Sequence, residues 1–160
     1  MSTNDFSHID STGKPVMVDV SEKKPTKRSA TAQSIVSLPA EVLKKLVNGD
    51  IQTKKGAVFQ TAIIAGIMGA KKTGELIPLC HPLGMDNCDI DIRLNDNNEV
   101  IITCTAGIEA KTGVEMEALV GASIAALTVY DMCKALSHNI IIKDTKLIKK
   151  SGGKRDFERK

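Results

Sequence analysis

Apolar and polar residues alternate between positions 87 and 94. Cys88, Ile90, Ile92 and Leu94 fall on one side, and Asn87, Asp89, Asp91 and Arg93 on the other. A period of two predicts a strand with one wet face. Residues 95–98 (NDNN) are turn chemistry, and 99–105 (EVIITCT) predict the returning strand of a hairpin. Cys88 and Cys104 then lie close together on the apolar side. Upstream, 30–38 carries β-branched Ile35 and Val36 and reads as a strand. Pro39 and Gly49 bracket a stretch in which Val42, Leu43, Leu46 and Val47 share one face, predicting a short amphipathic helix. Residues 57–73 are apolar almost all round, which predicts a helix buried on most sides. Its Gly66 and Gly69 would let a neighbouring backbone approach. A long helix is expected over about 113–136, and 139–142 with 145–148 read as a last strand.

Setting aside one helix as an addition, the order is β-α-β-β-α-β. The fold class expected is α+β: a ferredoxin-like sandwich with an extra helix, its helices on one face of an antiparallel sheet. One domain over 1–160 is expected, with 1–29 and 151–160 as flexible arms. Within the first arm, 16–20 (VMVDV) is the one apolar patch, able to dock or to add an edge strand. Ile101 and Ile141 are placed on the sheet face that carries no helix. That, and the large apolar content of the two main helices, predicts an oligomer.

Composition narrows the function classes. Of 160 residues, 42% are hydrophobic but only 2% aromatic, with no Trp. The core must use Ile, Val, Leu, Ala and Met, and a nucleic-acid surface built on stacked aromatics is disfavoured. A net charge of +3 is too small for general binding to DNA or membrane, but the cations are clustered. Lys23, Lys24, Lys27 and Arg28 lie near the start, Lys54 and Lys55 form a pair, and Lys143 to Arg155 is rich in Lys. Brought together, such clusters make an anion site. The four cysteines lack C-x-x-C spacing. No signal peptide or membrane span is apparent in the opening residues or elsewhere, so a cytoplasmic location is expected.

The long helix has more charge than packing requires: Glu115 and Glu117 at one end, Asp131 and Lys134 at the other. Asp131 and Lys134 are i,i+3 neighbours that can pair. As a surface pair they are worth little; as an acid–base couple they can move protons, provided the lysine's pKa is lowered. Glu117 and Asp131 are separated by roughly 21 Å of helix. Both can serve one small ligand only from different subunits, or if Glu117 sits off the helix. His81, held between Pro78 and Pro82, is stiffly presented. Cys80 lacks a base nearby in sequence, and Cys80, His81 and the acids lack metal-ligand spacing.

LIPLCHPL at 76–83, KTGVEMEAL at 111–119 and AALTVYDMCKA at 125–135 resemble the cyclic pyranopterin monophosphate synthase family, accessory protein C of molybdenum cofactor biosynthesis. MVDVS, KKGAVFQTAIIAGI and KSGGK match as well, in order along nearly the whole chain. The resemblance implies a ferredoxin-like subunit in a hexamer of three dimers, with active sites at subunit interfaces. It implies a lyase that converts a GTP-derived 3′,8-cyclo-dihydro-GTP into cyclic pyranopterin monophosphate and pyrophosphate. By motif, Asp131 and Lys134 are the catalytic pair. Leu79, Cys80, His81, Met116 and Glu117 line the substrate site, with Glu115 close by. Lys55, Lys150, Arg28 and Lys154 belong to the anion-binding set. No metal ligands are implied; Mg²⁺ accompanying the triphosphate is compatible with this set. Two alternatives share these residues: a non-catalytic nucleotide- or phosphate-binding oligomer, and a scaffold whose apolar helices serve assembly.

Overall fold

A computed structural model describes residues 8–160. The main sheet has five antiparallel strands in the order β5-β6-β1-β7-β8. These are β1 (Thr26–Ser37), β5 (Asn87–Leu94), β6 (Glu99–Ala110), β7 (Ile141–Ser151) and β8 (Phe157–Glu158). Helices α2 (Val58–Lys71) and α4 (Glu115–Cys133) pack on one another, and both contact the sheet. Without β8 and the short elements, this is the ferredoxin-like order, with β1 between β6 and β7. The α+β expectation holds.

The core sits between sheet and helices. β1 contributes Ala30, Ala32, Ser34 and Val36 at every second position, and β6 contributes Val100, Ile102, Cys104, Ala106 and Ile108. α4 meets them with Ala118, Ala122, Ala125, Ala126 and Val129, all fully buried. Small residues here let the two helices approach closely. A Cβ on Gly66 would meet Ile90 Cδ1 and lie 2.8 Å from the Gly121 carbonyl oxygen. A Cβ on Gly69 would lie 2.7 Å from Ile124. The expected role of the α2 glycines holds. By length and hydropathy α4 would suit a membrane span, but half of its apolar window is buried in this core.

The β5–β6 hairpin forms as its pattern predicts, and Cys88 Sγ lies 3.8 Å from Cys104 Sγ. On the helix-free face Ile35 pairs with Ile101, and two residues on Ser37 pairs with both Glu99 and Ile141. Because cross-strand partners share a face, Ile101 and Ile141 lie on the same side, as expected.

Four expectations are corrected. The helix over 40–48 is only α1 (Ala40–Leu43). Leu46–Val47 instead forms β2, paired with β3 (Asp50–Thr53), which pairs in turn with β4 (Gly56–Ala57). Asn48 and Gly49 both have positive φ (51° and 81°), the backbone of a tight type I′ hairpin turn that Asn-Gly favours. The turn overrides the helical face and leaves Val47 exposed. Second, α2 is not buried on most sides of this chain: Ile64 and Met68 are 61% and 55% exposed. Third, β1 begins at Thr26, inside the first expected arm. Fourth, Ser151 closes β7, and Phe157–Glu158 returns to pair with Lys149 and Lys150. Gly152 at φ 86° makes the reversal, packed against the Lys27 carbonyl.

Candidate active site

Two groups of polar side chains stand at opposite ends of α4. At its start, the 77–86 loop, the first turn of α4 and the 16–23 segment enclose a cavity of about 530 Å³. The loop follows the short helix α3 (Thr73–Leu76). A Cβ on Gly74 would lie 2.9 Å from Pro82 Cα, so glycine lets the loop fold back. Leu79, Cys80, His81, Glu115, Met116, Glu117 and Lys154 all line this cavity, as the motifs require. The 16–20 patch docks here without forming a strand: Val18 and Val20 line the wall, and Val18 O lies 2.8 Å from His81 Nε2.

Glu117 is 3% exposed although charged residues are seldom so buried. Burial, and then the charge of Glu115, push its carboxyl above the ordinary range. Burial raises the Glu115 carboxyl too, but the Lys150 ammonium, donating to it at 2.8 Å, outweighs this and holds it below its usual value. Two adjacent carboxyls are thus pushed apart in acidity by their surroundings. The Cys80 thiol is pushed up by burial and by Glu117, against a nucleophilic role.

An adjoining cleft of about 350 Å³ shares Lys23, Thr112, Gly113, Glu115 and Lys154 with the first. Arg28, Lys111 and Lys150 complete its cationic lining. Arg28 donates to the carbonyls of Ala110 (3.0 Å) and Lys111 (3.1 Å), which fixes the fork against the β6–α4 connection. The Gly-rich turn after β7 that carries Lys154 packs on this arginine, with Gly153 beside Arg28 Nη1.

At the other end of α4, Asp131 receives hydrogen bonds from Lys134 and Lys55, each at 2.8 Å. Lys55 thus joins Asp131 and Lys134, apart from the rest of the expected anion-binding set. The hairpin of β3 and β4 presents it. Asp50 tethers that hairpin by accepting from the α2 amides of Phe59 (2.7 Å) and Gln60 (3.2 Å), a favourable place for a carboxylate. Lys134, then Lys55, hold the Asp131 carboxyl at about 2. In return Asp131 raises the Lys134 ammonium above its usual value, so within one chain the lysine is not the neutral base that proton abstraction needs. All three side chains are about half exposed.

A titration follows. Stability from a depressed carboxylate is present above the unfolded pKa and lost as pH falls through the folded one. The contribution of Asp131 should therefore be lost between about pH 4 and pH 2, with its own midpoint in the folded chain at about 2. Replacing Lys134 by Met should move its midpoint upward, with Lys55 keeping it below the ordinary value. Carboxyl-carbon NMR reads this directly, and an unmoved midpoint would contradict the pairing.

Residues 17–153 match the MoaC family. Cyclic pyranopterin monophosphate synthase of Xanthomonas campestris pv. campestris (strain B100) is 54% identical over 95% of this chain and 92% of its own. The chain belongs to the MoaC family. Molybdenum cofactor biosynthesis protein 1 of Dictyostelium discoideum is 49% identical, but the chain spans only 27% of it. The molybdenum cofactor biosynthesis bifunctional protein of Synechocystis sp. (strain ATCC 27184 / PCC 6803 / Kazusa) is 52% identical, with 45% of its length spanned. For this MoaC-family chain, sequence reasoning named half of the residues that line the cavity. It missed His8, Leu83, Lys111, Thr112 and Gly113 as site residues, and had Lys23 only within a basic cluster. Lys111, Thr112 and Gly113 stand in the KTGVEME motif itself. His8 lies in a stretch with no local signal.

Proposed function

We propose that this chain is the lyase of molybdenum cofactor biosynthesis that converts 3′,8-cyclo-7,8-dihydro-GTP into cyclic pyranopterin monophosphate, releasing pyrophosphate. The observation that carries the reading is the junction of a carboxyl-lined cavity with a cationic cleft across a shared wall. A purine-derived ring bearing a triphosphate has that division of chemistry. The Xanthomonas relative carries the name of this activity.

Making a cyclic monophosphate from a triphosphate requires a substrate hydroxyl to attack the α-phosphorus and pyrophosphate to leave. Lys150, Lys154, Arg28 and Lys23 hold the phosphates and stabilise the departing charge. Glu115 and Glu117 accept hydrogen bonds from a guanine-type edge, while Leu79, Met116 and His81 bound the ring. Asp131, Lys134 and Lys55 supply the proton transfers. Mg²⁺, where the triphosphate carries it, belongs to the phosphates in this scheme.

The two groups stand roughly 21 Å apart along α4, so a complete site takes its cavity from one subunit and its catalytic pair from another. Ile64, Met68 and Leu127, each more than half exposed, supply apolar surface for such an assembly, which we place as a hexamer of three dimers in the cytoplasm. Burial between subunits would also lower the Lys134 pKa, which Asp131 alone raises.

Incubating the purified chain with the cyclised GTP intermediate should yield cyclic pyranopterin monophosphate and pyrophosphate; assembled protein yielding neither would refute the lyase. Asp131→Asn and Glu117→Gln should each be inactive alone, and co-assembled they should regain activity through wild-type sites. No regain would place the whole site within one chain. A phosphate-binding module without catalysis is favoured by one observation, the protonated state of Lys134 in the single chain. It predicts binding of the intermediate without turnover.

A further inference from the structure

The cationic cleft holds fewer free charges than its lining suggests. Lys150 is paired with Glu115, and Arg28 is committed to two carbonyls. Lys111 points its ammonium away to the strap, donating to the Ser21 carbonyl at 2.7 Å. Among the described residues, Lys23 and Lys154 make no ion pair with a carboxylate.

Lys23 reaches the cleft from the N-terminal segment. It closes a tight turn, its amide bonded to Val20 O at 3.0 Å. The Asp19 carboxylate caps the Ser21 amide at 2.8 Å. Among the described residues this turn pairs with no strand. His81 holds it at one end through Val18 O, and Lys111 holds its middle. Lys111 is itself fixed, because Arg28 Nη2 binds its carbonyl. A continuous set of contacts thus runs from Arg28 through Lys111 to Ser21, and so to Lys23.

We propose that Lys111 is a positioning residue: its ammonium holds the turn from Val20 to Lys23 so that Lys23 faces the phosphates. The proposal rests on the reading of this cleft as the phosphate site. Lys111 then acts on binding only through Lys23, and losing either residue removes the same contact.

A double-mutant cycle tests this in the full chain. Lys23→Ala, Lys111→Met and the double variant are titrated with inorganic tripolyphosphate by calorimetry, and turnover is followed with the cyclised GTP intermediate. Each single change should weaken tripolyphosphate binding about 10-fold or more, as loss of one charge-assisted contact does. The double variant should be no weaker than Lys23→Ala. With the intermediate, kcat/KM should fall by the same factor in both single variants and no further in the double variant, and Lys111→Arg should restore binding. Multiplying losses in the double variant would show that Lys111 binds phosphate itself and overturn the proposal. So would wild-type affinity in Lys111→Met. Turnover by a wild-type chain that does not bind tripolyphosphate would overturn it too, while leaving the lyase standing. A non-additive cycle in a chain without turnover would keep the inference and remove the lyase.

Discussion

Lys134→Ala is expected to lower turnover by about 10²–10⁴-fold, the usual worth of a positioned acid–base group, with folding nearly unchanged. The two halves of that expectation have separate causes. Lys134 and Asp131 are about half exposed in this chain, and an exposed ion pair contributes little to stability. Thermal unfolding of the variant should therefore overlay the wild type. Activity is another matter, because among the described residues the one other ammonium bound to Asp131 is that of Lys55, which comes from a separate hairpin and cannot fill both places. Asp131→Asn should behave similarly, since it frees both lysines at once. Single-turnover measurement of pyrophosphate release separates chemistry from binding. Turnover within tenfold of wild type in both variants would dismiss the pair as catalytic and leave a surface ion pair.

Gly66→Val should damage the fold strongly, costing about 3 kcal/mol, the upper part of the usual range for overpacking a core. Its Cβ would collide with Ile90 and lie 2.8 Å from a backbone oxygen of α4, which cannot move without shifting that helix. Helix propensity favours valine over glycine by a fraction of a kcal/mol and offsets little of this. For a chain of this size the midpoint should fall by about 6–12 °C. Gly84→Ala is the control, because nothing lies within 4 Å of a Cβ there. A Gly66→Val midpoint equal to that control would mean the helices do not meet as described. Because Gly66 faces α4 of its own chain, this change reports folding. Assembly is better probed at exposed Ile64 and Met68.

Much of the fold was legible because local signals agreed. The alternation over 87–94, the NDNN turn and the following β-branched run specify a hairpin without outside help. Residues 40–48 show the opposite case. Their apolar spacing suits a helix, but Asn48-Gly49 suits a tight turn, and the turn prevailed because both positions adopt positive φ at little cost. The tail was misjudged because its order comes from a reversal at Gly152 back onto β7 and from packing on Arg28, which is distant in sequence. Cations were legible as clusters but not as partners. Lys55 looked like part of an anion-binding set, and only the β3–β4 hairpin, tethered by Asp50, carries it to Asp131. Lys111 stood inside a recognised motif, yet its function depends on a carbonyl ninety residues earlier.

The amino-acid pattern alone determined the order of the main strands and helices, the apolar faces that form the core, and the division of charge between the two ends of α4. These follow from short-range periodicity and from the helix rise, which no tertiary contact alters. Only the tertiary structure decided which charges meet. It buried Glu117 in the cavity wall and raised its carboxyl, paired Glu115 with Lys150, brought Lys55 to Asp131, and laid the Val18–Lys23 segment across the cavity. Those outcomes depend on hydrogen bonds and burial between segments far apart in the chain, where distance in sequence carries no information about distance in space.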